Sequence, residues 1–213
     1  MGKIFAVGDI HSCLFKLKEM MTLLKIDPVA DTLVFVGDYI DRGPDACGVV
    51  DLILRIKRTV NKVICLLGNH EQLFLDYYLE KINRKIFLSN GGMSTLLSYG
   101  LNGTCDGNTT NIPESHLQFF NSLYPYYETD DYIFVHAGLK PGIPLEQQDR
   151  DDILWIRNEF IASAYDFGKI VVFGHTPFSV PLVGVNKIGI DTGAVYGGKL
   201  TCVELPEIKI HQV

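Results

Sequence analysis

The chain has 213 residues, 47% hydrophobic and 21% charged, enough for one domain with a substantial core and short for two. Its net charge of -6 argues against unspecific nucleic-acid binding, which needs a basic footprint, although bound divalent cations would reverse the sign in a local pocket. No run approaches the roughly 18 consecutive apolar residues of a transmembrane helix, and Met1 to Val7 reaches Gly8-Asp9 before a signal-peptide apolar region can form, so no membrane association and a cytoplasmic location are the expectation.

The first predicted element is a strand, Lys3 to Val7, ending at Gly8-Asp9. A helix follows over Cys13 to Lys25, with Leu14, Leu17, Met21 and Leu24 at helical spacing. Thr32 to Val36 reads as a second strand ending at Gly37-Asp38, and Asp45 to Arg58 as a helix burying Val49, Val50, Ile53, Leu54 and Ile56. A third strand, Lys62 to Leu67, ends at Gly68-Asn69-His70, and Glu71 to Ile82 begins another helix. This βαβαβ rhythm implies parallel strands with crossover helices. Ser89 to Asn111, rich in Gly, Asn, Ser and Thr, reads as a loop broken by a short helix at Met93 to Tyr99, forming a lid or substrate-facing subregion. Ser115 to Leu123 is a further helix. The last third is β-rich: Tyr132 to Val135, Ile170 to Phe173, Lys187 to Ile190, Leu200 to Leu205 and Glu207 to His211. The expected fold is α/β, two packed mixed sheets flanked by helices, in one catalytic domain over residues 1–213.

One local event recurs five times: an apolar β-run ends, a small turn follows, and a metal-capable side chain appears. The sites are Gly8-Asp9-Ile10-His11, Gly37-Asp38-Tyr39-Ile40-Asp41-Arg42-Gly43, Gly68-Asn69-His70-Glu71, His136-Ala137-Gly138 and Gly174-His175-Thr176. Strand ends in α/β sheets converge on one edge, where ligands bind. Asp, His and Asn supply oxygen and nitrogen donors for Mn, Fe or Zn. Each piece alone has an ordinary reading: a helix cap beside a surface histidine, turn carboxylates, or a hydrogen-bonded structural histidine. The combination, in this order on one chain, points to a metal site. The five cysteines are scattered without a CxxC pair, so neither structural zinc nor a disulfide framework is expected.

The ordered set GDxH, GDxxDRG, GNHE, HAG and GHT resembles the phosphoprotein-phosphatase branch of the metallophosphoesterases, in particular bacteriophage lambda protein phosphatase and bacterial relatives. Phe173 to Pro177, Ile190 to Val195, Gln72 and Asn90-Gly91-Gly92 strengthen the likeness. The resemblance implies a calcineurin-like metallophosphoesterase fold holding two divalent ions, manganese first, with iron or zinc as alternatives. Asp9 and His11 would bind the first metal, Asp38 would bridge, and Asn69, His136 and His175 would complete the second. Arg42 and Arg157 would clamp phosphate oxygens, and His70, oriented by Asp41, would be the general acid. The implied activity is hydrolysis of phosphoserine or phosphothreonine, and of phosphotyrosine and small phosphate esters, by a hydroxide bridging the two metals. A symmetrical dinucleoside-tetraphosphate hydrolase shares all five motifs. The reading from another class is a metal-binding interaction module without turnover.

One position departs from the family pattern: Ser12 stands where glycine usually follows GDxH, and serine in a left-handed turn has a cost. Asp191 is expected near the site, as a substrate-placing or a turn-capping group. Tyr39 and Tyr196 are expected to line the pocket, and His116 and His211 to be surface residues.

Overall fold

The computed structural model describes residues 2–101 and 112–213. Among the described residues ten strands form two five-stranded sheets. The first has the order β10-β9-β1-β2-β3, with β1 (Ile4–Val7), β2 (Thr32–Phe35) and β3 (Lys62–Cys65) parallel, and β9 (Thr201–Leu205) and β10 (Lys209–Gln212) antiparallel at its other side. The second has the order β4-β5-β6-β8-β7. In it β5 (Tyr132–Val135), β6 (Ile170–Phe173) and β8 (Lys187–Gly189) are parallel, edged by antiparallel β4 (Tyr126–Glu128) and β7 (Leu182–Val183). The expected architecture of two packed mixed sheets with helices outside is the one found.

Alternation along the strands explains the layering, because successive side chains point to opposite faces. Ala6, Val34 and Val36 from the first sheet meet Phe134, Val172, Ile188 and Ile190 from the second in a buried layer between them. Phe5, Val7, Leu33 and Phe35 point the other way, onto the helical layer. There α1 (Leu14–Leu23) buries Leu17 and Met20, and α2 (Ala46–Ile56) buries Val49, Val50, Ile53 and Ile56. Asp45 caps α2 by accepting the Gly48 N–H at 2.8 Å. Ile133, Val135, Val171 and Phe173 face a third cluster completed by Ile153 of α7 (Arg150–Trp155), Ile156 just beyond that helix and Phe160 of α8 (Asn158–Ile161).

The crossover helix α3 spans Asn69–Tyr78, starting two residues before its predicted onset. The stretch expected to be largely loop carries α5 (Gly92–Ser98), and an unforeseen α4 (Arg84–Ser89) precedes it. α6 (Glu114–Asn121) overlaps the helix predicted over Ser115 to Leu123, starting one residue earlier and ending two earlier, while Cys105 and the remainder of the predicted loop, residues 102–111, lie outside the described residues. Cys13, Cys47, Cys65 and Cys202 are free thiols. Among the described residues no helix is long and apolar enough to cross a membrane.

Two histidines expected at the surface are packed inside. His116 is buried between Tyr99, whose hydroxyl lies 2.8 Å from Nδ1, and Asp51, 3.2 Å from Nε2. His211 is half-buried, with Nε2 2.7 Å from Glu204 Oε2. In both cases a carboxylate on a neighbouring element gives the ring a partner that no local pattern announces.

Candidate functional site

Every parallel strand ends at the same edge, where the two sheets meet. β1 leads to Asp9 and His11, β2 to Asp38, β3 to Asn69 in the first turn of α3, β5 to His136, β6 to His175 and β8 to Asp191. All are buried. Asn69 Oδ1 lies 2.9 Å from His136 Nε2 and 3.0 Å from His175 Nδ1. Asp38 straddles two groups: Oδ2 is 3.4 Å from His11 Nε2, and Oδ1 is 3.4 Å from His136 Nε2. Asp9 sits across the seam, its carboxylate accepting the His175 N–H at 2.9 Å. The six donors expected from the sequence are therefore brought together.

The turns carrying these donors are strained. Positive φ occurs at His11 (44°), Ser12 (58°), Asp38 (52°), Asp41 (68°), Arg42 (66°) and His175 (62°), a region non-glycine residues avoid and which persists only where the surroundings enforce it. Glu71 supplies much of that enforcement. Its buried carboxylate accepts N–H bonds from Asp38 (2.9 Å), Tyr39 (2.8 Å), Ile40 (3.2 Å) and Gly68 (3.1 Å). Glu71 was visible in the GNHE motif, but no sequence feature shows that it faces the second strand's turn. Thr95 on α5 is a second unforeseen support: its hydroxyl donates to Asp41 Oδ1 at 2.5 Å and accepts the Asp41 N–H at 2.9 Å. The predicted lid region thus includes a helix that braces the Asp41-Arg42 turn. Glycine is needed at position 68, where a Cβ would sit 2.2 Å from Asp38 Oδ1, and at position 174, where it would sit 2.0 Å from Asp9 Oδ1.

The residues fit divalent cations. His11 Nδ1 and His136 Nδ1 each lie 2.9 Å from a main-chain carbonyl, of Ile40 and Val36. Donation to those carbonyls fixes the tautomer and leaves each Nε2 lone pair facing Asp38. Burial drives the His11 pKa down to about 3 and that of His175 to about 2, and lowers His136 for the same reason; neutral imidazole is the ligating form. Burial alone works against the Asp38 carboxylate, yet the imidazoles of His136, His70, His11 and His175 outweigh it and hold Asp38 below the usual carboxylate range. Asp9 goes the other way, raised by burial and then by the carboxylates of Asp191 and Asp38. Asp191 is pushed up to about 6 chiefly by burial. A cation between such groups relieves their repulsion. Two clusters of donors, His11–Asp38–His70 and Asp38–His136–His175, each gather within 4.8 Å, with Asp38 common to both.

His70 is committed elsewhere. Nδ1 lies 2.7 Å from Asp41 Oδ2, while Nε2 is buried without a partner, 3.9 Å from Asp38 Oδ2. That is the posture of a proton donor held by a carboxylate and aimed into the site. Burial raises the Asp41 pKa, partly countered by its hydrogen bond with His70. Arg42 Nη1 lies 2.6 Å from His11 Nε2, with its guanidinium 5.5 Å from the Tyr196 ring centroid. Arg157 donates through Nη1 to the His175 carbonyl at 3.1 Å and to Thr176 Oγ1 at 3.2 Å. Asp191 caps its own turn by accepting the Gly193 N–H at 2.9 Å. Tyr39 does not line the site: it is fully buried, its hydroxyl bonded to the Leu66 carbonyl at 2.8 Å and its ring against Phe119. Tyr196 is exposed at the site's rim.

Comparisons with known proteins agree with this geometry. The chain is 27% identical to the asymmetrical bis(5'-nucleosyl)-tetraphosphatase PrpE of Anoxybacillus flavithermus, over 97% of this chain and 92% of that one. It is 30% identical to serine/threonine-protein phosphatase 1 of Salmonella typhimurium, over 95% and 91%. Among solved structures, a candidate diadenosine tetraphosphatase superposes with a TM-score of 0.79 at 27% identity, covering 100% of this chain and 93% of that one. The model of the calcineurin-like phosphoesterases matches residues 2–205, and the chain belongs to that family, as a hydrolase of the metallophosphoesterase superfamily.

Proposed function

We propose that the protein hydrolyses dinucleoside tetraphosphates asymmetrically, with two divalent ions, manganese first, held by Asp9, His11, Asp38, Asn69, His136 and His175. The observation that carries the hydrolytic reading is Asp38 shared between two imidazole groups, with the His70–Asp41 pair alongside. The choice of substrate is supported by the relatives named for it, which match this chain over nearly their whole length. Their designation favours asymmetrical over symmetrical cleavage.

When bound, such ions supply Lewis-acid polarisation of a phosphoryl oxygen and of a water. The remaining roles belong to the chain. Arg42 and Arg157 donate to the phosphoryl oxygens and stabilise the charge of the transferring group. As the water oxygen bonds to phosphorus, the bridging P–O bond breaks, and His70 passes the Nε2 proton to the departing oxygen. Asp41 holds the imidazolium through Nδ1. The water's proton leaves to solvent.

A second reading, a serine/threonine phosphatase acting on phosphoproteins and small phosphate esters, is favoured by the Salmonella relative. The test is product chromatography on metal-supplemented enzyme. Diadenosine tetraphosphate is expected to give AMP and ATP. Two ADP would establish the symmetrical cut, and turnover of phosphopeptide alone would establish the second reading.

A further inference from the structure

We infer that Tyr196, under the Arg42 guanidinium, and Trp155, against the His175 ring, are two base-stacking platforms that select substrates carrying a nucleobase at the ends of a phosphate chain. This rests on the reading above and assigns the residues that would read the nucleosides.

The two arginines approach from opposite halves of the molecule. Arg42 reaches His11 on the first sheet, and Arg157 reaches the main chain of His175 on the second. An exposed ring lies under Arg42, and a second stands against His175, whose carbonyl accepts from Arg157. Tyr196, in the loop after β8, is 63% exposed and lies under the Arg42 guanidinium. Trp155, the last residue of α7 and two before Arg157, is 39% exposed, and its ring meets that of His175 edge-on with centroids 5.9 Å apart. Large rings are usually turned inward, and phosphoryl transfer itself has no use for them. A phosphoserine side chain offers them nothing flat, whereas a nucleobase stacks on an aromatic face and on a guanidinium. One ring at Arg42 and one at His175 match a ligand whose phosphates lie between two bases.

Trp155 is the single tryptophan of the chain, so its fluorescence reports on its own platform. Titrating the full-length, metal-loaded protein with a methylene-bridged diadenosine tetraphosphate is expected to quench that emission. Inorganic tetraphosphate is expected to compete for the arginines without matching the quench. Trp155→Ala and Tyr196→Ala are each expected to raise the ratio of KM for diadenosine tetraphosphate to Ki for inorganic tetraphosphate about tenfold, with Trp155→Phe restoring most of it. Damage to the arginines would move both constants and leave the ratio in place. Turnover of the dinucleotide with no quench and an unchanged ratio would overturn the platforms while leaving the proposed hydrolase standing. Turnover of phosphopeptide but not of the dinucleotide would overturn both.

Discussion

Glu71→Gln tests the source of order in the metal-binding turns. Glu71 Oε1 accepts the N–H groups of Tyr39 and Ile40, and Oε2 those of Asp38 and Gly68. Glutamine keeps one oxygen and turns an NH2 group toward the other pair, so two buried N–H donors face a donor. At about 1–3 kcal/mol for each buried unsatisfied group the loss is about 4 kcal/mol, a large share of the roughly 5–15 kcal/mol that holds a domain folded. A chain of this size loses about 2–4 °C per kcal/mol, so Tm should fall by roughly 8–16 °C. The measurement is thermal unfolding by circular dichroism in EDTA, because bound metal would add its own stabilisation. Calorimetric metal titration at low temperature should also show weaker uptake, since the same bonds hold Asp38 at its left-handed φ of 52°. A Tm within about 2 °C of the parent would refute the reasoning.

Four further outcomes are expected. His70→Asn should retain metal, measured by elemental analysis, and slow turnover by about 10²–10⁴-fold, more for phosphoserine than for a dinucleotide because an alkoxide leaves less readily than a polyphosphate; loss of metal would show the assigned role wrong. Asp38→Asn should lower metal content and rate together, and full metal content would contradict its shared position. Ser12→Gly should stabilise the protein by about 1 kcal/mol in urea unfolding, since Ser12 holds φ 58° with a buried hydroxyl that has no partner; destabilisation would show that the hydroxyl serves the turn. In EDTA, burial of His11 and His175 should cost stability as the pH drops below about 6.5, because the unfolded chain protonates them while their folded values near 3 and 2 keep them neutral. Each ring loses about 2 kcal/mol by pH 5, against the opposite trend of Asp9 and Asp191, whose raised values gain stability as they protonate. His11→Gln should therefore lose less stability than the parent between about pH 7 and pH 5, and an equal change in the two would contradict the burial of His11.

The donors were legible because each is preceded by an apolar strand and flanked by a small residue, a local pattern that survives in any context. The parallel strands were legible for the same reason. What escaped was set by distance along the chain. α4 and α7 are six-residue helices, too short for a periodic signal. β4 and β7, of three and two residues, are strands only because β5 and β8 offer them an edge. The roles of Glu71 and Thr95 depend on partners 31–33 and 54 residues away in sequence. Tyr39 sits in a metal-binding motif yet points into the core, because the left-handed turn at Asp38 reverses the direction an extended chain would give it. The cost foreseen for Ser12 is present in its positive φ.

Four donors hang from the first sheet, at Asp9, His11, Asp38 and Asn69, and two from the second, at His136 and His175. The second ion's set, Asp38 and Asn69 with His136 and His175, is divided between the halves, so a cation held there would act as a rivet through both. The layer of Ala6, Val34, Phe134 and Val172 sets how the halves are indexed against each other. A slip of one half over the other anywhere in that interior would reappear, undiminished, as a misplaced ligand at the rivet. Side chains remote from the chemistry are thereby held to the same tolerance as those that perform it.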